Sequence, residues 1–382
     1  MSTTASTVLS LVLPFFVCVT MIMVLRKTAV RIGLLDQPCQ RKRHVGLVPL
    51  VGGIAMFTAF AISALLLFPA WSSLAMVSIA FVVVALGVLD DIHGLQTRKR
   101  FLVQIIVAVA MVYIGGVQIT QLGNLFGDGN IYFNGFFALV FTVFSTVGVI
   151  NAINMVDGAD GLAGSLSLLS FLALAFIAFG AGEVVSGQLI LVIVGALSAF
   201  LLFNARIFGR SARIFMGDAG SMFIGFLLAW FFIDLSQGQT RPLSAVSAGW
   251  IFGLPLLDIS AVMTRRLIER RSPFEAGRDH IHHLLIDQGI SVNATLGIIL
   301  LVHGAFITIG LFANSHTQWE PAFFWLFVVL VSFHLAYTQR FLEEKVRASQ
   351  QKQSKNSATS GHLLKQQAQA ATDTPQHKSN HP

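Results

Sequence analysis

Residues 8–25, 50–68, 72–89, 101–119, 136–152, 162–180, 187–204, 214–233, 243–264, 292–313 and 320–338 form eleven nearly unbroken apolar runs. In hydrocarbon every backbone N–H and C=O needs a partner within the protein, so such runs cross a bilayer as helices or as the strands of a closed barrel. None of them alternates apolar with polar residues as a barrel strand does, and each approaches the roughly 20 residues that a helix needs to span the hydrocarbon core. The runs predict an all-α, polytopic membrane protein with about eleven transmembrane helices. A composition that is 55% hydrophobic and 11% charged, with a mean hydropathy of +0.74, excludes a water-surrounded globule of 382 residues.

The loop charges test this count, because short cytoplasmic loops collect Lys and Arg. One side gathers Arg26, Lys27, Arg31, Arg41, Lys42 and Arg43, then Arg98, Lys99 and Arg100, then Arg206, Arg210 and Arg213, then Arg265, Arg266, Arg270, Arg271 and Arg278, and finally the basic residues from Arg340 onward. Only Arg241 of the 25 falls on the other side. The split predicts a periplasmic N-terminus and a cytoplasmic C-terminus. The first run follows no basic residue, so it reads as a retained span and not as a cleavable signal.

Two cysteines, Cys18 and Cys39, offer no disulfide framework. The net charge of +7 fits topology and anionic headgroups, and no nucleic-acid motif accompanies it. Residues 1–345 read as one transmembrane domain. The polar, Gln/Ser/Lys-rich stretch 346–382 reads as a disordered cytoplasmic tail.

The predicted topology puts five aspartates at one face: Asp90 and Asp91 at the end of the third span, Asp157 and Asp160 between spans five and six, and Asp218 at the start of span eight. Acids contribute little to topology, so their grouping points to a shared site. Asn151, Asn154, Asp157 and Asp160 recur every three residues, which in helical backbone is about 300° per step, so each stands only about 60° round from the one before and neighbours in the series stay on roughly one face. Carboxylate and amide oxygens without nearby thiolates suit a hard cation such as Mg²⁺. Asp218, in "FMGDAGS", is a second such ligand, and the amides that open its helix are suited to phosphate. Solvated helix caps are the plain alternative for any one of these acids.

"SPFEAGRDHIHHLL" adds Arg278, His280, His282 and His283 after the Arg265, Arg266, Arg270 and Arg271 group. The histidine spacing fits a helical zinc site poorly, whereas arginine and histidine together suit phosphate oxygens. Asp258, inside span nine, is either functional or paired with a neighbouring helix. His303 and His334 read as interhelical hydrogen bonders, and Pro255 as a kink in span nine.

"GLLDQPCQRKRHVGLVPLVGGIAMF", "GVLDDIHGLQTRKR", "NAINMVDGADGLAGS", "RIFMGDAGSMFIGF" and "SPFEAGRDHIHHLL" resemble, in order and in expected sidedness, the polyprenyl-phosphate N-acetylhexosamine-1-phosphate transferases of the MraY/WecA/TagO group, over about residues 8 to 340. Eleven spans and the "HIHH" stretch look like the WecA branch. The resemblance implies transfer of GlcNAc-1-phosphate from UDP-GlcNAc to undecaprenyl phosphate with release of UMP. It sets this at the cytoplasmic face of a bacterial inner membrane, as the first membrane step of O-antigen and enterobacterial common antigen synthesis. It further implies Mg²⁺, with Mn²⁺ as an alternative, ligated by Asp218 and Asn154; essential roles for Asp90, Asp91, Asp157 and Asp160; and substrate contacts from Arg100, Asn204, Arg265, His280, His282 and His283. A homodimer is compatible with it.

The expected chemistry is in-line attack by the lipid phosphate on the sugar-linked phosphorus, with an acyl-phosphate on Asp90 or Asp91 as the competing route. CDP-alcohol phosphotransferases would need Ala-Arg soon after Asp157-Gly158, and no such pair follows. A transporter or polyprenol-binding protein would place polar residues along a mid-membrane pathway, where little beyond Asp258 and His303 stands.

Overall fold

The computed structural model describes residues 2–36, 47–205, 212–238, 240–272, 277, 279–344 and 347. Cys39, Arg41, Lys42, Arg43, Arg206, Arg210, Arg278 and nearly all of the 346–382 tail lie outside the described residues. The chain comprises two compact units, Met1–Val331 and Ser332–Pro382.

Thirteen helices occupy the described residues: α1 (Thr3–Ile32), α2 (Gly52–Leu67), α3 (Trp71–His93), α4 (Thr97–Tyr113), α5 (Gly135–Val156), α6 (Leu162–Gly180), α7 (Val184–Asn204), α8 (Gly217–Ser236), α9 (Ala245–Ile251), α10 (Gly253–Ile268), α11 (Ile281–Asp287), α12 (Val292–Ser315) and α13 (Thr317–Glu344). Two short antiparallel hairpins, β1 (Leu35–Asp36) with β2 (Val48–Pro49) and β3 (Gln121–Gly123) with β4 (Ile131–Tyr132), are the only strands among them.

Every apolar run of the sequence carries helix, and the protein is a multi-pass membrane protein. Among the described residues, eight helices are long and apolar enough to cross a bilayer, and the bent pair α9–α10 makes a ninth. The shortfall against eleven lies in α2, with 16 residues, and α4, with 17, whose first turn carries Arg98, Lys99 and Arg100.

α8 runs through the middle of the bundle and is buried almost all round, as a helix that is apolar on every side requires. Helices pack closely in lipid when small residues face one another, and α8 is approached in this way from three sides. Gly53 of α2 abuts Gly220, Gly87 of α3 abuts Ala219, and Gly225 abuts Ile150 of α5. A β-carbon on Gly225 would stand 2.7 Å from the Ile150 Cα.

Span nine breaks at Phe252, where α9 and α10 diverge by 84°. The break precedes Pro255, which sits in the first turn of α10, where a missing N–H costs nothing. Ser170 Oγ donates to the Ile251 carbonyl exposed by the break, at 3.1 Å. His303 Nε2 lies 3.1 Å from Ser170 Oγ and 3.2 Å from the Leu166 carbonyl, so this histidine is an interhelical bonder. At the bundle end away from the aspartates, Arg241 donates to Gln121 Oε1 at 2.8 Å, and the Glu320 carboxylate accepts from Asn124 N at 2.8 Å.

Candidate functional site

The C-terminal end of α3, the start of α4, the end of α5 and the start of α8 converge. Asp90 is buried, and its carboxylate accepts from Arg100 Nη1 and from Leu95 N, both at 2.7 Å. Arg100 also lies 4.0 Å from Asp218 Oδ2, so one guanidinium links the two acids. Asp218 Oδ1 accepts from Asn154 Nδ2 at 2.6 Å, and the same amide nitrogen is 2.9 Å from Ser221 Oγ. The Asp218 side chain remains 35% exposed, so the carboxylate is partly open to a ligand.

Asp91 caps α8 from outside. Its carboxylate accepts from Asp218 N at 2.8 Å and from Ala219 N at 3.2 Å, satisfying amides that a helix start leaves without internal partners. These are the amides expected to be open to a phosphate; an intramolecular carboxylate holds them instead. Gly217 makes this possible, because its φ of +71° turns the chain into α8 and a β-carbon there would meet Asp91 Oδ2 at 2.6 Å.

The three-residue polar stripe is helical only in its first half. α5 ends at Val156 with Asp157 as its C-cap, and Gly161, at φ +78°, opens α6, so Asp157 and Asp160 leave the helical face that carries Asn151 and Asn154. Asn151 donates to Gln104 Oε1 at 2.7 Å and braces α5 against α4. Asp160 accepts from Ala212 N at 3.3 Å. Asn204 is buried and engaged at both ends, accepting from Gly161 N and donating to the Ile214 carbonyl, each at 2.9 Å. It ties the Asp157–Gly161 turn to the strand of chain entering α8.

The histidine segment meets the same turn. A β-carbon on Gly158 would stand 2.5 Å from His282 Nε2, so glycine is what lets the imidazole close on the backbone. His282 stacks near-parallel to His280 with centroids 6.0 Å apart, and His283 lies 4.1 Å from His282.

α10 holds this segment through Asp258, Arg265 and Arg266; Arg265 was expected at the site from the sequence, whereas Asp258, Arg266 and their partner Asp279 were not. Asp258 Oδ2 lies 2.8 Å from His280 Nδ1, and Oδ1 accepts from Ile281 N at 2.9 Å. Arg265 and Arg266, both buried, converge on Asp279: Arg266 forks across the carboxylate at 3.1 and 2.6 Å, and Arg265 reaches the same group at 3.0 Å. Asp258 had a signal, an acid inside an apolar span. Asp279 had none, because a lone acid in a polar loop looks like any other.

Burial pushes the Asp279 carboxyl up, but the hydrogen bonds from Arg266 and Arg265 outweigh it and hold the group below its ordinary range. A carboxyl depressed by folding contributes stability that is complete above its unfolded value, about 3.9, and is lost as pH falls through the lower folded value. Asp279→Asn is expected to cost roughly 3–5 kcal/mol at neutral pH, because it leaves two buried guanidiniums short of a counter-charge. Its thermal midpoint in detergent should also fall less than that of the parent between pH 5 and 3. Parallel acid profiles would remove Asp279 from this role.

Among the described residues, no three His, Cys, Asp or Glu side chains form a ready metal cage. The chemistry of the donors nevertheless suits a hard cation. Asp218 offers a partly exposed carboxylate, Asn154 offers an amide oxygen once the amide turns over, and the remaining positions fall to water and phosphate oxygens, as is usual for Mg²⁺.

The profile of glycosyl transferase family 4 matches residues 73–236, the stretch from α3 to α8 that carries Asp90, Asp91, Arg100, Asn154, Asp157, Asp160, Asn204 and Asp218. The chain is 36% identical over 319 residues to the undecaprenyl-phosphate alpha-N-acetylglucosaminyl 1-phosphate transferase of Escherichia coli (strain K12), covering 81% of this chain and 84% of that one. It belongs to glycosyl transferase family 4. Relatives of the same name in Yersinia pestis (34% over 322 residues; 84% and 88% covered) and Haemophilus influenzae (34% over 327 residues; 84% and 91% covered) match over most of their length as well. The likeness to these members extends past the profile on both sides, far enough to take in more of the helical framework than α3 to α8.

Proposed function

We propose that this protein transfers GlcNAc-1-phosphate from UDP-GlcNAc to undecaprenyl phosphate, giving undecaprenyl-diphospho-GlcNAc and UMP. The observation that carries this reading is the meeting of Arg100, Asn154 and Asp218 at one end of an apolar bundle, in a chain related over most of its length to transferases of that name. At such a point a polyprenyl chain lies in hydrocarbon while its phosphate meets a water-borne nucleotide sugar. The reading takes eleven crossings with a periplasmic N-terminus and the site on the cytoplasmic face of a bacterial inner membrane. It takes residues 1–345 as the catalytic domain and the rest as a polar tail, and the product as the start of O-antigen and enterobacterial common antigen.

In this reading an oxygen of the lipid phosphate attacks the sugar-linked phosphorus in line, a P–O bond forms there, and the bond to UMP breaks. A phosphomonoester loses its second proton near pH 6, so the acceptor needs little help from a base. Asp90 holds Arg100, and Asp91 holds the start of α8 and with it Asp218. With their oxygens so engaged, both acids are suited to positioning, which favours direct displacement over an acyl-phosphate on either. Mg²⁺, or Mn²⁺, held by Asp218 and Asn154 would neutralise charge on the diphosphate. Arg100, His280, His282 and His283 bind phosphate oxygens, with Asp157 and Asp160 shaping the turn beside them. The internal pairing of Arg265 and Asn204 favours a supporting part for each.

Purified protein is expected to release UMP from UDP-GlcNAc only when both undecaprenyl phosphate and Mg²⁺ are present. Release indifferent to the lipid, or none from folded protein, would refute the proposal. A panel of UDP-N-acetylhexosamines in the same assay identifies the sugar.

A further inference from the structure

We infer that Asp258 is a positioning residue for the transfer, acting through His280: it grips the imidazole at Nδ1 and leaves Nε2 as the ring atom that donates to a phosphate oxygen of the bound diphosphate. The inference rests on the transferase reading above.

Asp258 is 1% exposed and lies within α10, where an ionisable group is expensive to keep. Both of its carboxylate oxygens engage the histidine segment. One oxygen is 2.8 Å from His280 Nδ1 and the other accepts from the next backbone N–H, that of Ile281, at 2.9 Å. A single carboxylate thereby fixes both the ring and the chain that carries it. A carboxylate at Nδ1 requires a proton on that nitrogen, which settles the hydrogen-bonding role of one side of the ring; an anion arriving at the other side favours a proton there too.

The rest of α10 extends the same template. Arg265 and Arg266 follow Asp258 by seven and eight residues, about two helical turns along the same flank, and both clamp Asp279, the residue before His280. Residues 279, 280 and 281 are thus each held by α10. His280 in turn lies parallel to His282, and His282 closes on Gly158, four residues beyond Asn154. A ring fixed in this way is presented to the Asn154–Asp218 end of the site with its orientation set in advance, which is what a donor needs in order to stabilise charge on a transferring group.

The test is a double-mutant cycle on full-length enzyme with UDP-GlcNAc and undecaprenyl phosphate. Asp258→Asn preserves size and keeps an oxygen for the Ile281 N–H. It is expected to lower kcat on the order of 10–100-fold, with a smaller change in KM for undecaprenyl phosphate. In a His280→Ala background the same substitution should lower kcat by less than about 3-fold. An equal loss in both backgrounds would overturn the inference, because a merely structural aspartate does not depend on the histidine.

A second readout does not need turnover. In ¹⁵N-histidine-labelled protein, with His280 assigned by its loss in His280→Ala, Nδ1 should carry a proton in the parent and change environment in Asp258→Asn. An unprotonated Nδ1 in the parent would overturn the inference. If the parent makes no UMP from UDP-GlcNAc, the transferase reading fails, and the nitrogen spectrum still decides the Asp258–His280 pair.

Discussion

Asp218→Ala is expected to lower UMP release on the order of 10³-fold while leaving the protein inserted and monodisperse in detergent. The side chain is the meeting point of Asn154 Nδ2, at Oδ1, and Arg100, near Oδ2, so its loss removes the carboxylate that both approach and that would hold the cation. The start of α8 does not depend on that side chain. Asp91 holds the backbone N–H groups of residues 218 and 219, which alanine retains. Activity and folding should therefore separate: size-exclusion profile and thermal midpoint close to those of the parent, turnover gone. Asp218→Glu, which keeps the charge but moves it, should need more Mg²⁺ for half-maximal rate. Near-parental turnover in Asp218→Ala would take this residue out of the site.

The second large effect is expected from a residue that touches no substrate. A β-carbon on Gly87 would overlap the backbone of Ala219, and backbone cannot swing aside as a side-chain tip can. Gly87→Val should push α3 off α8 and break the two hydrogen bonds by which Asp91 holds the α8 start. The expected result is a thermal midpoint lower by several degrees, or too little folded protein to purify, with at least about 100-fold less activity in what remains. Gly148 is the control: it is exposed in α5 with no atom near its missing β-carbon, so Gly148→Ala should be close to silent. Parental stability and rate in Gly87→Val would mean that this helix contact does not govern the site.

The apolar runs were legible because a bilayer imposes one rule over some twenty residues at a time, and that rule leaves a long signal. Grouping of the aspartates was legible through sidedness: loops that alternate across a membrane sort their residues into two sets, and five acids fell in one. Sequence periodicity misled at 157–160, where α5 ends at Val156 with Asp157 as its cap and Gly161 opens α6, so that the helical spacing assumed along the stripe no longer applies. It also gave no warning that Asp91 would occupy the amides at the start of α8, since that contact joins residues 127 positions apart. Asp279 was invisible for the same reason. Its partners lie a loop away on α10, and what distinguishes it is that Arg265 and Arg266 are buried, a property of packing and not of spelling.

α2 has a wider consequence. In the eleven-crossing reading proposed above, its 16 residues reach about 24 Å, against roughly 30 Å of hydrocarbon, and its start is tied down, because Gly52 N and Gly53 N are bonded to the carbonyls of Phe215 and Met216 at 3.0 Å each. In that reading the mismatch falls at the far end, beyond Leu67, where headgroups would sink toward the helix tip. Lipid acyl length would then act on α2 at a fixed spot, where a shorter-chained leaflet relieves a load that a longer-chained one adds.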